Sequence, residues 1–279
     1  MEKEYDGELS AYIIQEPQTQ YGYIKKLYWD LAIGLQKVDN LTPSKYLETL
    51  INKSVNENLD NRTIEEMLKK YYETQDLHKN EIQDEKECDL VSIRIVELLE
   101  KVNFELSVDF IKDIHKYLFE DIYEFNGEFR KADITKNEPI LNGDTVTYSS
   151  YQTLEKSLEY ELLQELDKNY KNMNIVDVIN SITDFTSNIW QVHPFREGNT
   201  RTTAVFIIKY LRTIGYQVNN DLFKEKSVYF RNALVRSNYF NNYLNIKENN
   251  SYLIKFYENL LLDKNNNLQS RDLVIKELF

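Results

Sequence analysis

Nine consecutive residues, His193-Pro194-Phe195-Arg196-Glu197-Gly198-Asn199-Thr200-Arg201, carry the chain's densest chemistry. They link two apolar, helix-patterned stretches. His193 falls where the first stretch ends ahead of Pro194, so its ring is free to leave the core and face a cleft. Imidazole titrates near neutrality without help, which suits a general base. Glu197 offers a hard oxygen ligand of the kind Mg2+ shares with phosphates. Gly198, Asn199 and Thr200 lead into the second helix, and backbone N–H groups at a helix start make an anion hole. Arg201 then lies in the first helical turn, a poor place for a cation by dipole reasoning. The conflict is resolved if its guanidinium clasps an anion, as expected at a functional site. Phe195 is read as an apolar anchor for the loop. The plain alternative is a helix–helix connection with no chemistry. Neither a glycine-rich Walker loop nor a dinucleotide fingerprint occurs elsewhere.

The elements that position this loop follow from periodicity. Val178, Ile182, Phe185, Ile189 and Val192 repeat with helical spacing over 175–192. Residues 201–214 are apolar nearly all round, which predicts a central helix ending near Gly215. Upstream, helices are predicted over 20–39, 43–53 and 63–72, the last opened by a Thr63/Glu66 capping box. The polar stretch 73–89 reads as a linker and domain boundary, with His78 solvated in it and Asp84 to Glu87 a solvated face. A new helix is expected from about Leu90. Another spans 107–123, where His115 reads as a partly buried structural residue. Asn142-Gly143 between 139–141 and 144–148 is a hairpin signature in an otherwise helical chain. Such a hairpin must lie on something or pair with something.

Composition bounds the rest. The chain has 279 residues and 42% apolar content, enough for a sizeable core, with seven glycines and four prolines favouring long helices. A net charge of −12 argues against nucleic acid as the main partner. The single cysteine, Cys88, excludes an internal disulfide and a cysteine metal cluster. The charged N-terminus carries no signal-peptide pattern, and no apolar run approaches the ~18 residues of a membrane span. A cytoplasmic location without membrane attachment is expected.

The segment from His193 to Ala204 resembles the signature of the Fic (Fido) family, H-x-F-x-(D/E)-G-N-(G)-R-x-x-R. The similarity extends upstream to a Gly-x-x-Arg loop at Gly127–Arg130 and to the Asn142-Gly143 hairpin, which resembles the family's flap. Downstream, 229–238 resembles its nucleotide-pocket helix. The likeness implies an all-α fold: a Fic-type helical domain with one β-hairpin flap, preceded by a small helical domain. The expected division is 1–88 as an N-terminal, antitoxin-like helical region, 89–263 as the Fic domain and 264–279 as a C-terminal tail.

What the resemblance implies is protein adenylylation, the transfer of AMP from ATP to a hydroxyl of a target protein. His193 would be the base and Glu197 the Mg2+ ligand. Gly198, Asn199, Thr200 and Arg201 would hold the phosphates. Tyr229, Phe230 and Asn238 would line the base pocket. Val146, Thr147 and Tyr148 would dock the target by strand addition. Two positions depart from the signature. Thr200 replaces a glycine. Ala204 replaces the second arginine, which in the family contacts the terminal phosphate and pairs with an inhibitory glutamate. A substitute cation such as Arg236 is one way to compensate. The family's inhibitory pattern, (S/T)-x-x-x-E-(G/N), has near matches at Glu57 and Glu258, and an aspartate version at Asp39-Asn40. Two alternatives stay open: transfer of another phosphate-containing group, and a non-catalytic scaffold that binds a partner protein. A homo-oligomer is also left open.

Overall fold

A chain so poor in helix breakers should fold into long helices. The computed structural model describes residues 17, 19–76, 79–218 and 220–278 and contains ten α-helices among them. In order these are α1 (Gln20–Gln36), α2 (Lys45–Glu57), α3 (Asn61–Glu73), α4 (Asn80–Glu100) and α5 (Val108–Phe119). They are followed by α6 (Leu154–Leu166), α7 (Ile175–Val192), α8 (Asn199–Thr213), α9 (Asn220–Asn238) and α10 (Ser251–Leu262). Among the described residues no helix is long and apolar enough to cross a membrane.

The centre is α8, buried without a break from Asn199 to Leu211, as its all-round apolar pattern predicts. Helices α1, α4, α5 and α7 surround it. The cap of α7 is Asn174, whose side chain accepts from the Asp177 amide, and that of α5 is Ser107, which accepts from Phe110. On the far side α1 crosses α9 closely. A Cβ on Gly34 would lie 2.4 Å from Lys224 Cα, so only glycine permits this crossing.

Several expectations are corrected. The N-cap of α3 is Asp60, not Thr63, because its carboxylate accepts from the Thr63 amide while Glu66 pairs with Arg62. The polar stretch 73–89 is a linker only in its first part. From Asn80 it is helix, so the boundary expected at 88/89 falls inside α4. Polarity misled there because the charged groups have buried partners. Asp89 accepts hydrogen bonds from the Ser44 amide and hydroxyl and from Tyr72 Oη, tying α2 and α3 to α4. Burial pushes its carboxyl up to about 7, against these hydrogen bonds. Cys88 is buried as well. His78 lies outside the described residues.

The hairpin is also revised. Asn142 and Gly143 reverse the chain with φ of 52° and 88°, as the Asn-Gly signature requires. The arms form no strands. Pro139–Leu141 is a 3-10 turn, closed by the Gly143 amide donating to Glu138 O and the Glu138 amide to Asp144 O. Pro139 has no N–H to give a ladder, and the Lys136 amide donates to Thr145 Oγ1 instead. Residues expected as a free tail hold this flap-like loop: the Ile275 amide donates to Ile140 O and Asn142 Nδ2 to Leu278 O.

Candidate active site

Helix α7 terminates at His193, whose φ of 49° and ψ of 57° place it in the left-handed region. That turn swings the ring out of the helix and packs it, buried, between the Tyr148 and Trp190 rings, at centroid distances of 4.2 and 5.2 Å. Nδ1 lies 3.3 Å from Trp190 O. With Nδ1–H donating there, Nε2 keeps its lone pair. Burial, followed by the nearby charge of Lys136, pushes the imidazole pKa well below its ordinary value, so the ring is neutral at pH 7.

The loop after His193 is built on hydrogen bonds to itself and to α5. Asn199 Oδ1 accepts from the Phe195 amide at 2.9 Å and its Nδ2 donates to Phe195 O at 2.8 Å, closing the loop into a ring. The Asn199 side chain therefore shapes the loop. Phe195 stacks on His115 at 3.7 Å. The Gly127 amide donates to His115 Nδ1 at 2.9 Å, so Nε2 carries the proton and donates to Glu197 O at 3.1 Å. Burial pushes this imidazole down to about 4. His115 is thus the structural residue expected, and it also fixes Glu197's backbone. Sequence periodicity held no signal of that second role.

Gly198 has φ of 74°, and a Cβ there would lie 2.3 Å from the Phe119 ring. Thr200, at the position of the family's glycine, keeps helical backbone and accepts a hydrogen bond from Trp190 Nε1 at 3.0 Å. Arg130 of the Gly-x-x-Arg loop staples the site together. Its Nε donates to His193 O at 2.9 Å, and its Nη groups donate to Ala132 O and Ser149 O.

Glu197 is half exposed and pairs with Lys136 from the base of the flap at 2.7 Å. Among the described residues no group of three or more His, Cys, Asp or Glu side chains could cage a metal. One exposed carboxylate that already draws a cation does fit Mg2+, which binds through one or two carboxylates, waters and substrate phosphates. Lys136 was not legible as a site residue, since nothing in its sequence context sets it apart.

Of the flap residues, Val146 is buried, Thr147 is exposed and Tyr148 covers His193. The segment's backbone bonds run to the end of α7: Thr147 O accepts from Gln191 Nε2 and the Ser149 amide donates to Gln191 O. A groove of about 340 Å3 adjoins it, lined by Ser149, Ser157, Tyr160, Asn188 and Gln191 among others.

Arg201 is turned into the protein interior. It is 1% exposed and points toward the N-terminal helices, where Nη2 donates to Glu87 at 2.6 Å and Nη1 to Gln36 at 2.9 Å. Asp39 Oδ2 lies 2.8 Å from Nε, an ion pair without hydrogen-bond geometry. Burial opposes the charge, but Asp39 and Glu87 outweigh it and hold the guanidinium pKa above its ordinary value. Tyr229, Phe230 and Asn238, expected around the base, pack in the core. Tyr229 Oη donates to Tyr252 O, Phe230 sits fully enclosed against Phe223 and Phe256, and Asn238 Nδ2 donates to Ser187 Oγ and Leu234 O. Glu57 is exposed at the end of α2, while Glu258 pairs with Lys264 at 2.8 Å. Of the three acidic positions near the inhibitory pattern, Asp39 is the one that meets an arginine of the signature.

Residues 105–211 match the Fic/DOC family. The chain is 28% identical over 120 residues to the protein adenylyltransferase VbhT of Bartonella schoenbuchensis, covering 43% of this chain and 24% of that one. It is also 28% identical over 124 residues to a probable protein adenylyltransferase, y4lH, of Sinorhizobium fredii, covering 44% of this chain and 61% of that one. The chain thus spans about a quarter and about three-fifths of these relatives' lengths. The N-terminal FIC domain of Bep8 from Bartonella sp. 1-1C aligns with 16% identity and a TM-score of 0.46, over 73% of this chain and 87% of that one.

Proposed function

We propose that this chain, whose residues 105–211 match the Fic/DOC family, transfers AMP from ATP to a hydroxyl side chain of a target protein. The observation that carries this reading is a neutral His193 at the end of α7, joined by one short loop through Glu197 to the start of α8. The target hydroxyl gives its proton to His193 Nε2. Its oxygen bonds to the α-phosphorus as the bond to the bridging oxygen breaks, and pyrophosphate leaves. The amides of Gly198, Asn199 and Thr200 offer donors to phosphate oxygens at the helix start. Glu197 would hold Mg2+, which neutralises phosphate charge when bound. Arg201 acts here as a positioning residue: it anchors the first turn of α8 to the N-terminal helices. Tyr148 shields the base until a target segment settles along Thr147 and the neighbouring groove.

Ala204, fully buried in α8, supplies no charge and favours the non-catalytic scaffold as the second reading. Incubation with α-labelled and γ-labelled ATP plus Mg2+, beside His193→Ala, separates the readings. AMP transfer predicts α-label on protein that the variant loses. Label from the γ-phosphate alone means a different transferred group. No label on the chain itself or on lysate proteins means a scaffold.

A further inference from the structure

A triphosphate brings about four negative charges to the start of α8, and the side chains there do not balance them unaided. Arg201 is spent on two carboxylates, Asp39 and Glu87. Arg130 is spent on backbone carbonyls of the flap and catalytic loop. Arg231, which also acts electrostatically on His193, is paired with the buried Glu138 at 2.8 Å. Lys136 differs from all three. Its amide is fixed to Thr145 at the flap base, while its ammonium reaches across on a flexible stem to Glu197 Oε2 at 2.7 Å and Arg196 O at 3.3 Å. Its field is the largest charge effect on His193, so it lies close to the reacting position.

We infer that Lys136 is a nucleotide-binding residue held in reserve. Its ammonium occupies the position at Glu197 that a cation would take. Were Mg2+ held by that carboxylate as ATP binds, Lys136 would be free to turn to the phosphates. The inference rests on the proposed nucleotide site. The exchange is cheap, because a half-exposed ion pair contributes little on its own. It is also cooperative. Without metal, Glu197 both repels the phosphates and retains the lysine. With metal, the same position turns from a neutral pair into two cations facing the triphosphate.

The test is ATP affinity of the full chain, by calorimetry, in excess Mg2+ and in EDTA. Four proteins are compared: wild type, Lys136→Met, Glu197→Gln and the double variant. Both side chains are partly exposed, and melting curves check that the variants fold. Lys136→Met should weaken binding in Mg2+ about tenfold, the scale of one charge-assisted phosphate contact. In EDTA, Glu197→Gln should bind ATP about tenfold more tightly than wild type, and the double variant should lose that gain. The inference is overturned if Lys136→Met stays within about twofold of wild type in Mg2+, or if the double variant keeps the gain, or if wild type binds no ATP. Binding without α-label transfer would instead defeat the transfer reading and leave the lysine exchange standing.

Discussion

His115 and His193 are both buried and neutral, but they differ in how their rings are held: His115 is bonded through both nitrogens and His193 through Nδ1. His115 holds the loop by accepting at Nδ1 and donating at Nε2, an arrangement available only to one neutral tautomer. Its pKa is about 4 in the folded chain against 6.5 ordinarily. As pH falls through 6.5 the unfolded chain takes up a proton that the folded chain refuses, so stability declines from there and levels off near 4. At about 1.4 kcal/mol per unit, the loss is on the order of 3 kcal/mol. Asp89, held near 7, adds stability over the same range, so the loss is read as a difference: between pH 7.5 and 4.5, denaturant melts of His193→Ala should lose about this much more than those of His193→Ala with His115→Gln. An equal pH effect in both would mean that other groups control acid stability. Gly198 makes a second test. Alanine there must adopt φ near +74° and press its Cβ into Phe119. Left-handed strain and overpacking together should cost roughly 2–4 kcal/mol in chemical denaturation. Wild-type stability for Gly198→Ala would mean that the loop is looser than its contacts indicate. His193, Glu197 and Gly198 stood out in the sequence because residue type and order suggest a chemistry. Lys136 and Arg231 were not, since each is defined by a partner far along the chain.

At the scale of elements, periodic sequence gave α5, α7 and α8 nearly whole, because each buries one stripe or all of itself. It failed where local signals compete with distant partners. Helix α4 begins in a run of charges that sequence patterning alone reads as solvent-facing, although Glu87 and Asp89 each meet buried donors. Helix α6 was not anticipated; it leaves Tyr160, Leu163 and Leu166 exposed, so its pattern is blurred. The flap was recognised by its turn but not by its arms. It is held by side chains and by the C-terminal residues, and Arg130 is the chief fastening to the catalytic loop. Arg130→Lys keeps the charge but cannot serve three carbonyls in one plane. Unmet buried acceptors typically cost ~1–3 kcal/mol each. Hydrogen exchange across 133–149 should therefore quicken in Arg130→Lys while α10 stays protected. Unchanged exchange in the flap would show that the Gln191 and C-terminal contacts hold it alone.

For the whole molecule, the question is whether the N-terminal helices form an appendage or part of the fold. Composition favours an appendage, with its polar stretch before residue 89. The structure makes them part of the fold. Helix α1 packs on α9 and α4, Trp29 is fully buried, and Gln36, Asp39 and Glu87 converge on Arg201 at the start of α8. A fragment of residues 89–279 would keep the signature intact and lose every one of those partners. With the helices that cover it gone, the Arg201 guanidinium would be bared to solvent without Asp39 or Glu87. Apolar surface on α4, α8 and α9 would be bared as well. The fragment should therefore show helical far-ultraviolet dichroism, weak near-ultraviolet signal and dye binding, the marks of collapse without fixed packing. Arg201→Met within that fragment should change little, because the guanidinium there is solvated and has no partner left to lose. In the full chain the same substitution should destabilise, since it orphans Asp39 and Glu87. If Arg201→Met destabilises the fragment as much as the full chain, the N-terminal helices do not serve as the counter-charge of α8.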